Sequence, residues 1–223
     1  MKLEIITTAD GSHTIYLPEL NEHYHSVHGA IAESRHIFIN AGFYARKSNH
    51  VNIFEVGFGT GLNALLTCLE SKATQCTVTY CALEPFPLDE KIWKLLNYPQ
   101  MLGNSEASNW IMKLHNASWN TQIRISEQFI FMKQKSGLAE AKIPYRAFDL
   151  IYFDAFAPTV QPELWSQEVF EKLFRACVAG ARIVTYCAKG EVRRKLQRAG
   201  FRVERLPGPL GKREILRGWV DKI

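Results

Sequence analysis

Residues 52–66 read NIFEVGFGTGLNALL. An apolar run ending at Val56 meets Gly57, Gly59 and Gly61 and continues into a stretch with helical spacing, so the segment reads as strand, tight turn and helix. Glycines in such a turn let the backbone approach a ligand closely, and the N-terminus of the following helix offers N–H groups to an anionic group. A dinucleotide fingerprint, GxGxxG, needs a glycine at position 62; Leu62 stands there instead. Glu55, at the end of the strand, points toward the approaching ligand. Its carboxylate repels a pyrophosphate and favours a ligand that carries an ammonium.

Strand and helix alternate outward from this stretch. Strands are expected at 51–56, 77–84, 121–125, 148–154 and 181–186, with helices at 61–70, 88–96, 163–177 and 191–199. That order predicts an open, mostly parallel α/β sheet. After Gly200 two strands, 202–206 and 213–220, follow without a helix between them, so the last strand is expected to run antiparallel. A Rossmann-like sheet with this ending is the architecture of class I methyltransferases that use S-adenosylmethionine, whose methionine part supplies the ammonium that Glu55 favours. Residues 1–50 stand outside the alternation and read as a small β-rich N-terminal extension; residues 51–223 read as one compact methyltransferase domain. Residues 97–120 read as a polar insertion before the third strand.

The whole chain has 223 residues, 47% hydrophobic and 22% charged, an ordinary globular balance. No apolar run is long enough to span a bilayer, and the N-terminus has no apolar signal core, so a cytoplasmic protein without membrane contact is expected. The five cysteines form no CxxC pair and read as reduced thiols. Net charge is +5, and it is concentrated at one end: residues 180–223 carry 12 Lys/Arg against 4 Asp/Glu. A basic face suits a polyanion, and it equally suits a solvated helix.

Three acidic strand ends carry the chemistry. Glu55 follows the first strand, Glu84 ends the second and is placed to accept hydrogen bonds from ribose hydroxyls, and Asp154 ends YFD at 152–154. Carboxyl ends of parallel strands face the ligand crevice. Asp154 therefore faces the cofactor, where it can orient an attacking amine or accept its proton; a loop-capping role is the structural alternative. Phe156 and Pro158 suit an apolar wall against a flat base, and they equally suit the core. His23, His25 and His28 match no zinc spacing, so no metal is assigned.

At these residues the sequence resembles the methyltransferases that form 5-methylaminomethyl-2-thiouridine in tRNA, the MnmC N-terminal domain and its stand-alone MnmD-type relatives. The matching pieces are DGSHTIYLPELNEHYHSVHGAIAESRHIFINAG, FEVGFGTGLN, LEPFPL, YFDAFAPTVQPELW, TYCAKGEVRRKLQRAGF and PGPLGKREILRG, spread over nearly the whole chain. The resemblance implies methyl transfer from S-adenosyl-L-methionine to the amine of 5-aminomethyl-2-thiouridine at the wobble position. It implies that Glu55, Gly57, Phe58, Gly59, Thr60, Gly61, Asn63 and Glu84 hold the cofactor and that Asp154 faces the amine. Tyr24, His28 and Glu33 are expected to border the substrate pocket. Arg193, Arg194, Lys212 and Arg213 are expected to meet phosphates of the anticodon stem-loop. An FAD-dependent oxidase domain follows in two-domain relatives; none is read here, so a separate enzyme is expected to supply the amine. Many methyltransferases hold the adenine amino group with an acid after the third strand. Here IRISEQF, 123–129, offers Ser126 or Glu127. Two rival functions stand beside this reading: a methyltransferase of the same fold acting on a small amine, and a non-catalytic RNA-binding module.

Overall fold

The computed structural model of the chain describes residues 2–46 and 48–221. Strands β1 (Glu4–Thr7), β2 (His13–Leu17) and β3 (Glu22–His23) form the small antiparallel sheet expected near the N-terminus. The segment also holds helix α1 (Ala30–Ser34), a π-helical turn at Arg35–Asn40 and a 3-10 turn at Phe43–Ala45. Gly29 gives α1 no side-chain cap. The β1–β2 turn supplies one: Ala30 N–H donates to Ser12 Oγ at 3.1 Å and Ala32 N–H to Asp10 Oδ2 at 2.9 Å. These are the orphan donors every helix start must satisfy. Ile37, Phe38, Ile39 and Phe43 are buried against the main sheet.

The main sheet has eight strands. β4 (His50–Val56) leads through the glycine turn into α2 (Leu62–Ala73) and then β5 (Thr77–Leu83). Helices α3 (Glu90–Trp93), α4 (Tyr98–Leu102) and α5 (Ala107–Asn116) precede β6 (Ile123–Ser126) and β7 (Phe129–Gln134). After β8 (Phe148–Phe153) come α6 (Gln167–Ala176), β9 (Cys177–Thr185), α7 (Gly190–Ala199), β10 (Arg202–Pro207) and β11 (Glu214–Trp219). The strand order is β10-β11-β9-β8-β4-β5-β7-β6. β9, β8, β4, β5 and β7 are parallel, and β11 pairs antiparallel with both β9 and β10. The expected antiparallel ending is therefore present.

Central strands are apolar because helices cover both faces. Ile53 belongs to the core shared with α2 and α5, and Phe54 to the core shared with α6 and α7. Burying each side chain fully contributes about 1.5–3 kcal/mol. All five cysteines are buried and free. Among the described residues, no helix is long and apolar enough to cross a membrane.

Three expectations change. The third parallel strand is β7, and 123–126 instead forms an antiparallel edge strand beside it. Residues 97–120 are mostly helical; Ala107, Trp110, Ile111 and Leu114 lie on one face of α5 and are buried. The helix expected over 163–177 is interrupted at Ser166, which ends a 3-10 turn and caps α6 by accepting from Val169 N–H.

Candidate active site

The parallel register sets the ends of β4, β5 and β8 side by side: Glu55 is aligned with Ala82 on one side and Tyr152 on the other. The glycine turn crosses these ends. Gly57 and Phe58 N–H groups donate to Leu83 O at 3.1 and 3.0 Å, and Asp154 N–H to Val56 O at 3.0 Å. Gly57 has φ of 90°, and a Cβ there would lie 2.6 Å from the Asp154 carbonyl oxygen, so only glycine allows this crossing. Glu84 ties the turn down from β5: it accepts from Gly59 N–H and Phe86 N–H, each at 2.8 Å. Burial raises its pKa above the ordinary carboxylate value, and these two donors oppose that rise.

Glu55 is 0% exposed, at the β4 end that leads into the turn. Asn63, from the first turn of α2, bridges the two acids: its amide donates to Glu55 Oε1 at 3.1 Å and to Asp154 Oδ2 at 2.8 Å. Burial, and then the neighbouring Asp154, push Glu55 well above the ordinary carboxylate range. Glu55 Oε2, Asn63 Oδ1 and the Tyr80 hydroxyl are buried there without a hydrogen-bond partner. Orphaned polar atoms are costly. These open polar atoms beside the glycine turn fit a zwitterionic cofactor, whose polar tail or accompanying water would supply partners.

Asp154 is raised to about 7, first by burial and then by Glu33, against the opposing effects of the Asn63 hydrogen bond and Lys212. Such a group takes and gives a proton near neutrality. Around it the structure brings together residues from both ends of the chain. The Tyr24 ring stands edge-on to Phe156 at 5.1 Å and covers Gly59, where a Cβ would lie 3.1 Å from the ring. Glu33 accepts from Ser26 N–H at 2.8 Å and from Lys212 Nζ at 2.6 Å. The His28 ring fills the space beside Gly211, in the turn that carries Lys212. Pro158 follows Phe156 in the same loop and is partly buried.

Other expected site residues lie differently. Thr60 and Phe58 anchor the turn: Thr60 Oγ1 meets His25 Nε2 at 2.7 Å, His115 Nε2 donates to Thr60 O at 3.0 Å, and Phe58 packs on His115 and Phe131. Burial lowers both histidines to about 4. Arg194 and Arg213 are exposed, and Arg193 is partly buried. It is Lys195 that α7 turns toward the site loop, donating to Trp165 O at 2.9 Å while the Trp165 indole donates to Phe156 O at 2.8 Å. Ser126 and Glu127 lie at the opposite end of the strands from the cleft, because β6 runs antiparallel; the third parallel strand reaches the cleft at Gln134.

His25, His115, Lys195, Trp165 and Tyr186, whose hydroxyl donates to Ala155 O at 2.9 Å, carry no sequence signal for these roles beyond their residue types. They are reached only through tertiary contact.

Residues 103–221 match a family model described as S-adenosyl-L-methionine-dependent methyltransferase. The chain is similar to the tRNA 5-methylaminomethyl-2-thiouridine biosynthesis bifunctional protein MnmC of Magnetococcus marinus, 33% identical over 97% of this chain and 34% of the relative. The protein of the same name from Azoarcus sp. is 31% identical over 92% of this chain and 34% of the relative. The chain thus spans about a third of the length of these relatives. Among solved structures, MNMC2 from Aquifex aeolicus superposes with a TM-score of 0.78 at 22% identity, over 100% of this chain and 72% of that one. Spermidine synthase from Thermotoga maritima gives 0.59 at 13% identity, over 99% and 69%. At those identities the structural matches speak for the fold alone.

Proposed function

We infer the function from one premise: the chain belongs to the S-adenosyl-L-methionine-dependent methyltransferase family. We propose that it methylates the primary amine of 5-aminomethyl-2-thiouridine at the wobble position of tRNA. The observation that carries this reading is Asp154, raised to about 7, at a strand end beside the glycine turn and inside a cluster of Tyr24, Glu33, Phe156 and Lys212. The names of the relatives, which this chain matches over about a third of their length, supply the substrate.

In this reading Glu55, Gly57, Phe58, Gly59, Thr60, Gly61, Asn63 and Glu84 form the cofactor side. Glu84 keeps lone pairs for ribose hydroxyls on the oxygens that already accept backbone N–H groups. S-adenosylmethionine, when bound, supplies an electrophilic methyl group on a sulfonium. The chain's own work is on the amine. A primary alkylamine is mostly protonated at neutral pH, and its ammonium form has no lone pair to offer. Asp154 accepts its proton, with Asn63 fixing one carboxylate oxygen so that the other faces the nucleophile. Tyr24 and Phe156 supply an apolar wall that strips water from the amine and lowers its proton affinity. Arg193, Arg194 and Arg213 lie outside this cluster and suit phosphates of the anticodon stem-loop. The amine itself comes from a separate amine-forming reaction.

The test supplies S-adenosylmethionine and tRNA bearing 5-aminomethyl-2-thiouridine, followed by nucleoside mass analysis. The expected product is about 14 Da heavier, one added methylene. Cofactor binding with no such product removes the tRNA reading and leaves a small-amine methyltransferase.

A further inference from the structure

Glu33 and Lys212 stand 179 residues apart in the chain and meet at 2.6 Å, and the charges of both are felt by the Asp154 carboxyl. Glu33 is 8% exposed and comes from α1; Lys212 comes from the turn between β10 and β11. The arrangement is ordered on all sides. Ser26 N–H fixes one Glu33 oxygen and Lys212 the other. The Lys212 ammonium lies 5.2 Å over the Tyr186 ring, and the Tyr186 hydroxyl is tied to Ala155 O, one residue from Asp154. His36 Nε2 meets Pro207 O at 2.7 Å, and His28 packs on Gly211, so the N-terminal segment is clasped to this turn at three points.

Lys212 is therefore not free to serve as a phosphate ligand in the way that the exposed Arg213 is. Its ammonium is committed to Glu33, and it acts on Asp154 through space. An ammonium bonded directly to Asp154 would cover the oxygen that must take the proton. Held on Glu33, the same cation favours an ionised Asp154 and leaves that oxygen open, while the Glu33 charge opposes it.

We propose that Glu33 and Lys212 form a charge pair of positioning residues that sets the pH at which Asp154 becomes a proton acceptor. The inference rests on the role given to Asp154 above. In the step it governs, a bond forms from the amine nitrogen to the methyl carbon. The methyl–sulfur bond breaks with its electron pair staying on sulfur, and the nitrogen's proton passes to Asp154. The remaining groups facing Asp154 are Glu55 and Tyr80 from β4 and β5, Asn63 from α2 and Tyr186 at the end of β9. None of these changes in the variants below.

The two partners carry opposite charges, so their removal has opposite effects. Lys212→Met raises the acidic limb of the methyl-transfer pH profile by about one pH unit, and Glu33→Gln lowers it by a similar amount. Lys212→Arg keeps the charge and returns the limb toward the wild-type position. A purely structural role would move both neutralising variants the same way, or change rate without moving the limb, and either result overturns the proposal. The carboxyl titration of Asp154, followed by NMR in full-length protein labelled with 13C-aspartate and assigned with Asp154→Asn, shows the same opposed shifts without any need for turnover. If the wild type makes no methylated nucleoside, the substrate reading fails, while this titration still decides the charge pair. Melting curves identify a variant that does not fold, and Lys212→Gln then replaces Lys212→Met.

Discussion

Replacing Asp154 by Asn should abolish methyl transfer and make the protein more stable, with a gain that depends on pH. In the folded chain Asp154 is raised from an ordinary 3.8 to about 7. A carboxyl group raised in this way binds its proton more tightly in the folded state, so stability is full below the unfolded value and declines as pH rises toward the folded one. Above pH 7 the full difference applies, about 4 kcal/mol if the site were dry. Asp154 is only partly buried by area, and solvent screening reduces the figure to about 2 kcal/mol. Asn keeps an oxygen for the Asn63 amide and carries no charge. For a chain of this length the gain corresponds to a rise of about 4–8 °C in Tm at pH 8, and to less than half of that at pH 5. Thermal unfolding of both proteins at the two pH values measures it. An equal gain at pH 5 and pH 8, or a less stable variant at pH 8, would refute the placement of Asp154 as a strained, proton-holding acid.

Four further outcomes follow from the geometry. Gly57→Ala puts a Cβ 2.6 Å from the Asp154 carbonyl oxygen at φ of 90°, which should cost about 2 kcal/mol or more in denaturant unfolding and weaken cofactor binding in calorimetry. Glu84→Gln leaves one acceptor where Gly59 and Phe86 N–H groups need two, so the turn loosens and S-adenosylmethionine affinity falls by about tenfold or more. Arg194→Ala with Arg213→Ala removes two exposed cations; if they meet phosphates, the salt slope of tRNA binding becomes shallower by about 1.5, while the cofactor dissociation constant is unchanged. His25 and His115 are held near 4 in the fold, so the stability they lend is present above pH 6.5 and is lost as pH falls toward 4. Protection of the glycine-turn amides against hydrogen exchange should decline over that range, and a constant protection factor would count against the two-histidine anchor.

That the acids of the candidate site come together was legible because they stand at strand ends. FEVG, ALEP and YFDA each pair an apolar run with an acid at its carboxyl end, and a parallel sheet places those ends together whatever the rest of the chain does. The misreading of the third strand has a specific source. FIFMKQ alternates, with Phe129, Phe131 and Lys133 buried on one face, but the lysine broke the apolar pattern. Lys133 is tolerated because its ammonium donates to His115 O at the end of α5 and lies 4.5 Å over the Trp119 ring. Similarly, α5 shows apolar residues at helical spacing among polar neighbours, and its buried face becomes evident only once α2 is packed against it. The sequence places Glu55 at a strand end facing the ligand space but does not show its burial, because the turn that closes over it is a tertiary feature.

The N-terminal segment is where local reading had least to work with, since its contribution lies entirely in contacts made across the chain. A turn with positive φ at Gly57, Gly59 and Gly61 has little intrinsic preference for one conformation. It becomes a defined surface only when gripped from outside. His25 and His115 hold Thr60 from two sides, Glu84 holds Gly59, and Tyr24 lies across Gly59 toward Phe156. Two of those four grips come from the N-terminal segment, as does Glu33, which takes the Lys212 ammonium. Under the proposed function the segment therefore fixes the turn on the cofactor side and contributes a charge on the amine side. A methyl donor and an amine held by one rigid frame lose less freedom at the moment of reaction than two held by independent loops.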